Sequence, residues 1–117
     1  MIVHKLDGQT GEALWSHEYS DPAGFDEAVL AAAIDSNDNV FVTGRQFISG
    51  ESVQMMTMKL RASDGDRSWM VRNGGTAAGE DLAWDVVVGP DDNPVITGQV
   101  VNGVDTPYFQ TRKFNNA

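Results

Sequence analysis

The stretch Asp38–Gly44, with the sequence DNVFVTG, returns 54 residues later as Asp92–Gly98, with the sequence DNPVITG. The same interval relates further residues without a gap: Lys5, Lys59 and Lys113; Gly11 and Gly65; Trp15 and Trp69. A fixed period near the upper end of the roughly 20–50 residues known for repeat architectures favours a propeller-like array. The chain of 117 residues is therefore predicted to be one domain of two repeats, 1–54 and 55–108, with a surplus segment, 109–117.

Short apolar segments separated by turn residues recur in each repeat, and this pattern predicts β-strands. The predicted strands are Met1–Leu6, a segment centred on Trp15, Ala28–Ile34, Val40–Gly44, Met55–Leu60, a segment centred on Trp69, Leu82–Val88, Pro94–Gly98 and Phe109–Phe114. Their spacing of about 8–12 residues is typical of all-β sandwiches, barrels and propellers. The sequence therefore predicts an all-β fold.

One segment has a local pattern that conflicts with this prediction. The segment 26–34 begins with two acids and continues through alanines without a breaker, which favours a helix. Its repeat mate, 80–88, ends in three valines, which favour a strand. Because two copies of one unit should share a conformation, we predict a strand in both.

Composition excludes several classes of function. The net charge of −9 argues against nucleic acid and against anionic membrane surfaces. The absence of cysteine excludes disulfides and thiolate chemistry. The sequence has no apolar run long enough to cross a membrane, and its N-terminus lacks the apolar region of a signal peptide. Because Met1 lies inside a repeat, we expect either a short gene product or a piece of a longer propeller.

The pattern K-L-x(4)-G-x(3)-W from Lys5 to Trp15, followed by an acid, an apolar strand and DNVFVTG, resembles the β-propeller repeat of bacterial surface and secreted proteins. That family is often described as seven-bladed. Asp7–Trp15, D-G-x-T-G-x-x-x-W, is also similar to quinone-cofactor propellers. The chain departs from the family at Gly89, where an aspartate is usual, and at Asp38 and Asp92, where a glycine is usual.

The resemblance implies four-stranded antiparallel blades around a channel and a secreted or cell-surface location. In such blades the innermost strands are Ala28–Ile34 and Leu82–Val88, followed outward by Val40–Gln46 and Pro94–Val100, by Val53–Leu60 and Thr106–Phe114, and by the tryptophan segments. Two blades cannot close a ring. We therefore expect copies of the chain to self-associate head to tail, or the chain to belong to a longer propeller. Because third-strand copies stand at both ends, one of them must be displaced, disordered or swapped in a ring.

Residues that differ between the repeats are the candidates for function. Trp84 and Asp85 replace Leu30 and Ala31 on a predicted inner strand. They adjoin two acidic pairs, Asp26-Glu27 and Glu80-Asp81. An aromatic ring beside carboxylates suits sugar binding, so these six residues form the predicted ligand site, with carbohydrate as the expected ligand. The alternative is that backbone N–H groups satisfy the acids and Trp84 packs between blades.

Recurring residues are expected to serve the scaffold, and this applies to Trp15, Trp69 and the three lysines. Asp35-x-Asn37-x-Asn39 has the spacing of a calcium loop, but Val40 and Gln46 stand where that loop needs glycine and an acid, so a hairpin turn is predicted. No cofactor, metal site or catalytic residue is predicted. The expected function is a non-catalytic, lectin-like binding scaffold; the alternative is a fragment of a propeller enzyme such as a quinone-dependent dehydrogenase.

Overall fold

The computed structural model describes residues 1–24, 26–48, 52–75, 79–103 and 106–117. In these ranges the regular structure consists of strands, and no helix is present. The strands are β1 (Ile2–Leu6), β2 (Ala13–Glu18), β3 (Glu27–Ile34), β4 (Val40–Phe47), β5 (Val53–Leu60), β6 (Arg67–Asn73), β7 (Leu82–Val88), β8 (Pro94–Val101) and β9 (Pro107–Lys113). The predicted all-β fold is confirmed, and so is the strand at Ala28–Ile34. Among the described residues there is no helix of the length and apolarity needed to cross a membrane.

The strands form three antiparallel sheets in which each strand pairs with its neighbour in the sequence. The N-terminal sheet contains β1 and β2, the central sheet runs β3-β4-β5-β6, and the C-terminal sheet runs β7-β8-β9. The central sheet thus has four strands that pair in their sequence order, as expected for one repeat unit. By the repeat, the N-terminal sheet corresponds to its last two strands and the C-terminal sheet to its first three.

The central sheet is covered on both faces. On one face Val40, Val42, Met56, Met58 and Leu60 pack with Trp15 of the N-terminal sheet. On the other face Phe41 and Met55 pack with Ala83, Val86, Ile96 and Val100 of the C-terminal sheet. Because successive strand residues point to opposite faces, the uninterrupted apolar run of β4 supplies both interfaces. The two cores therefore depend on one strand pair, β4 and β5.

β3 and β7, which are repeat mates, carry a bulge at the same position. The register of β3 against β4 shifts between Val29 and Ala31, and that of β7 against β8 shifts between Ala83 and Asp85. The bulge residues are therefore Leu30 and Trp84. Each bulged strand lies very close to its partner at a glycine. A Cβ on Gly44 of β4 would stand 1.9 Å from the Ala28 carbonyl oxygen of β3, and a Cβ on Gly98 of β8 would stand 2.1 Å from that of Leu82 in β7. The recurring glycine is thus a steric requirement of the bulge.

The hairpin turns before β4 and β8 place a non-glycine residue in the left-handed region. Asp38 and Asp92 both lie in the left-handed region, with φ of 62° and 58°. Aspartate tolerates this conformation better than most residues and so replaces glycine. The Asp92 carboxylate also accepts hydrogen bonds from the backbone N–H and hydroxyl of Ser36, at 3.0 and 2.5 Å, which joins the turn of the C-terminal sheet to that of the central sheet.

We predict that Gly44→Ala lowers the free energy of unfolding by about 1–3 kcal/mol, as overpacking does, because the new methyl group collides with backbone. Urea unfolding followed by tryptophan fluorescence measures the change. Gly8→Ala is the control, since a Cβ there meets nothing within 4 Å. Equal stability of the two variants would contradict the steric explanation for the recurring Thr-Gly.

Candidate functional site

A cleft of about 510 Å³ lies between the central and C-terminal sheets. It lies where β3 and β7 begin and β4 ends. Its lining residues are Gly24, Asp26, Arg45, Phe47, Val53 and Glu80. Asp26 and Glu80 are repeat mates, so the cleft presents one acid from the same position of each of two adjacent sheets. It therefore contains two of the six predicted ligand-binding residues.

The cleft combines hydrogen-bond acceptors, donors and an aromatic ring. Arg45 Nη1 lies 4.0 Å from Glu80 Oε1, and both side chains are exposed. The Asp26 carboxylate accepts no hydrogen bond from the described part of the chain, whereas its main-chain oxygen accepts one from Phe47 N at 3.0 Å. The Glu80 main-chain oxygen accepts a hydrogen bond from Gln99 Nε2 at 3.1 Å. The backbone of both acids is thus fixed while their carboxylates face solvent.

The second member of each acidic pair, Glu27 or Asp81, points inward, and its carboxylate accepts hydrogen bonds from the protein. Asp81 is fully buried, and its carboxylate accepts hydrogen bonds from Val101 N at 2.7 Å and Gly75 N at 2.6 Å. Glu27 accepts a hydrogen bond from Asp21 N at 2.7 Å and lies 3.9 Å from the N-terminal ammonium. These contacts hold loops against the sheets, as the alternative interpretation of the acids proposes. The ligand role of Glu27 and Asp81 stays a prediction.

Trp84 and Asp85 lie on β7, outside the cleft. Trp84 is the bulge residue, and its side chain is 49% exposed. Asp85 is exposed and accepts a hydrogen bond from Val86 N at 2.8 Å. The structure thus separates this pair from Asp26 and Glu80. Their ligand role also stays a prediction.

Four lining residues were not predicted from the sequence: Gly24 and Val53, and two side chains suited to ligand contact, Arg45 and Phe47. The repeat mates of Arg45 and Phe47 are Gln99 and Val101, so neither recurs. The same criterion that singled out Trp84 would have found them. The predicted site contains only residues on or just before β3 and β7, whereas the C-terminal end of β4 also lines the cleft.

The recurring residues have the scaffold contacts expected of them. Trp15 packs in the core, and Trp69 contacts the rings of Phe41 and Phe114 at centroid distances of 5.9 and 6.3 Å. Lys113 pairs with Asp91 at 2.5 Å. Lys59 donates to the Asn116 main-chain oxygen at 2.9 Å and lies 5.8 Å from the centroid of the Phe41 ring.

Asp35 organises the hairpin between β3 and β4. Its carboxylate accepts hydrogen bonds from Asn37 N and Asn39 N, both at 2.9 Å, and from Asn116 Nδ2 at 3.1 Å. Burial alone would raise the pKa of Asp35, but these hydrogen bonds, with that of the Asn39 side chain, outweigh burial and lower it. Both carboxylate oxygens of Asp35, the acid of the calcium-like spacing, thus accept hydrogen bonds from N–H donors. Among the described residues no three His, Cys, Asp or Glu side chains are grouped to hold a metal ion.

In the second repeat Gly89 replaces Asp35, and Asp91 takes over the acceptor role. Asp91 accepts from Asn93 Nδ2 at 2.9 Å. The hydrogen bond from Lys113, followed by that from Asn93, lowers the pKa of Asp91 to about 2. The turn of the second repeat therefore also contains a carboxylate acceptor, which stands two residues later than Asp35 does in the first repeat.

Comparison of the chain with protein-family models gives no match, and comparison with curated proteins gives no match either.

We predict that Asp35 makes part of the stability depend on pH. Because its pKa is lowered in the folded state, its contribution is present above the unfolded pKa of about 3.9 and is lost as the pH falls through the folded value. In urea unfolding across the acidic range, Asp35→Asn should flatten the decline seen with the wild type. Glu12→Gln, at an exposed side chain, is the control and should leave the decline unchanged. Parallel curves for wild type and Asp35→Asn would contradict this role.

Proposed function

We propose that the three sheets are propeller blades, of which the central sheet is complete and the two flanking sheets are partial. Three observations support this proposal: the strand order of the central sheet, the bulge at the same place in β3 and β7, and the covering of both faces of the central sheet. Four-stranded antiparallel sheets packed face to face are the building units of propellers.

We infer further that the chain is a non-catalytic binding module and that the cleft between the central and C-terminal sheets binds carbohydrate. The observation that carries this inference is the meeting of two solvent-facing carboxylates, Asp26 and Glu80, with Arg45 and Phe47 in one cleft of about 510 Å³. Carboxylates accept hydrogen bonds from sugar hydroxyls, and a guanidinium donates to sugar oxygens. An aromatic ring packs against the apolar face of a sugar. The combination of an apolar surface with a few convergent polar groups is typical of ligand sites.

The chemistry of the cleft supports binding more than catalysis. Both carboxylates are open to solvent, and a guanidinium adjoins one of them. The general acid of a glycosidase is instead a carboxyl group that apolar surroundings keep protonated. An assembly of several copies would repeat the cleft, and repeated weak sites gain affinity through avidity.

The test is a glycan array followed by calorimetric titration of the best ligand, with variants that exchange each cleft residue for its repeat mate. Arg45→Gln and Phe47→Val introduce residues that the second repeat carries at the same positions. Each should weaken binding by roughly tenfold or more, since an unpaired polar group or a lost ring contact costs about 1–3 kcal/mol. Asp26→Asn should weaken binding similarly.

Trp84→Leu is the matched control, because it also introduces the repeat mate but lies outside the cleft. It should leave affinity unchanged, and all variants should melt near the wild-type temperature. Failure to bind any glycan would overturn the carbohydrate proposal. Loss of binding in Trp84→Leu alone would move the site to the face of β7. A quinone titration in the same buffer tests the enzymatic alternative, because a bound quinone contributes a chromophore.

A further inference from the structure

The N-terminal and central sheets meet through a contact between a tryptophan and a turn. Trp15 Nε1 donates a hydrogen bond to the Ala62 main-chain oxygen at 3.0 Å. Gly65, in the same turn, has a φ of 74° and lies against the indole so closely that a Cβ would stand 2.4 Å from the ring. Glycine is therefore required here both by conformation and by space.

Trp69, the repeat mate of Trp15, has no such turn against its indole ring among the described residues. Trp69 Nε1 is buried and has no hydrogen-bond partner among the described residues. The mate of the Ala62 oxygen is the Asn116 oxygen, and it accepts a hydrogen bond from Lys59 instead. A cleft of about 220 Å³ is left, lined by Trp69, Val71, Phe114, Asn115 and Ala117. A buried indole N–H without an acceptor is costly, so this site is incomplete.

The complementary turn stands uncovered at the other end of the chain. Gly11, the mate of Gly65, also has a φ of 74°, and a Cβ there would meet nothing within 4 Å. The two turns have the same hydrogen bonds: Gly11 N to Asp7 O at 2.9 Å, and Gly65 N to Arg61 O at 3.0 Å. The chain thus carries a second copy of the turn that covers Trp15, with no tryptophan against it.

We propose that a second copy of this chain docks head to tail, so that its Gly11 lies against Trp69 and its Gly8 oxygen accepts the hydrogen bond from Trp69 Nε1. The Trp15–Gly65 contact within one chain is the template for this interface. Because β1 and β9 are repeat mates, β1 of the second copy takes the place of β9 beside β8. The C-terminal sheet then becomes β7, β8, and β1 and β2 of the second copy, with the four-strand order of the central sheet.

The strand that this exchange displaces, β9, has much of its surface open to solvent. β9 is an edge strand: five of its seven residues from Pro107 to Lys113 are exposed, and Phe109 is 89% exposed. The incoming hairpin restores the backbone hydrogen bonds that β8 makes with β9 and adds β2 as a further strand. An open sheet edge is a ready template for such pairing.

A second pair of surfaces matches in the same arrangement. Within the chain, Ala33 of β3 and Val88 of β7 belong to the core between the central and C-terminal sheets. Their repeat mates are Val87 and Ile34, which are 56% and 57% exposed. Head-to-tail docking places Val87 of one copy against Ile34 of the next, which removes both apolar side chains from water. The inference does not depend on the proposed carbohydrate ligand.

The test is sedimentation velocity of the full chain at micromolar concentration, with the variants Gly11→Asn and Gly103→Asn. Asparagine tolerates the left-handed conformation, and both glycines stand in open space, so both variants should fold and melt as the wild type does. Wild type and Gly103→Asn should form oligomers. Gly11→Asn should raise the dissociation constant by roughly tenfold or more, because its side chain collides with Trp69 of the neighbouring copy.

Disulfide trapping tests the register in the cysteine-free chain. Thr43 and Thr57 are cross-strand partners whose hydroxyl oxygens lie 2.9 Å apart. In the proposed sheet, which contains β7 and β8 of one copy and β1 and β2 of the next, the corresponding residues are Thr97 of the first copy and Val3 of the second. A mixture of the Thr97→Cys and Val3→Cys chains should therefore form a covalent heterodimer under oxidation, visible on a non-reducing gel. A Thr97→Cys/Thr111→Cys chain tests the competing pairing, since Thr97 faces Thr111 when β9 stays in place.

A monomeric wild type would overturn the proposal. So would oligomers that Gly11→Asn leaves intact, or rapid intrachain closure of the Thr97→Cys/Thr111→Cys chain without any heterodimer in the mixture.

Discussion

The burial of the central sheet on both faces is the constraint on which the rest of the structure depends. The strand β4 sends Val40 and Val42 to one core and Phe41 to the other, and β5 does the same with its methionines. Each flanking sheet packs on the central sheet with only one face. The two-stranded N-terminal sheet in particular needs this support, because an isolated hairpin is marginal in water. Both clefts described above lie at a junction between this sheet and the C-terminal part of the chain.

The repeat made most of the fold predictable from the sequence. Local propensity favoured a helix at 26–34, and only comparison with 80–88 indicated the strand that the structure contains. The bulge was not predicted, although the residues that accompany it, Thr43-Gly44 and Thr97-Gly98, are part of the sequence repeat. A recurring glycine indicates that a Cβ would not fit, but the sequence does not show which neighbouring atom the Cβ would meet.

The candidate site was predictable in part, and the reason is geometric. The sequence showed two acidic pairs but not which member of each faces solvent. That choice depends on the path of the loop before the strand. The repeat applies here too, since the first member, Asp26 or Glu80, faces out and the second, Glu27 or Asp81, faces in. Much of the acidic excess is likewise used internally: Asp7, Asp35 and Asp81 accept hydrogen bonds from backbone N–H groups.

The pairing of each strand only with its sequence neighbour has a consequence for the order of folding and of local opening. Antiparallel neighbours close short loops, so each hairpin can form early, whereas contacts between sheets join residues far apart in the chain. The strands β4 and β5 belong to both cores and should exchange their amide hydrogens only on global unfolding. The strands β1 and β9 lie at sheet edges and should exchange through local fraying. The molecule is thus expected to be a rigid centre with two edges that open more readily.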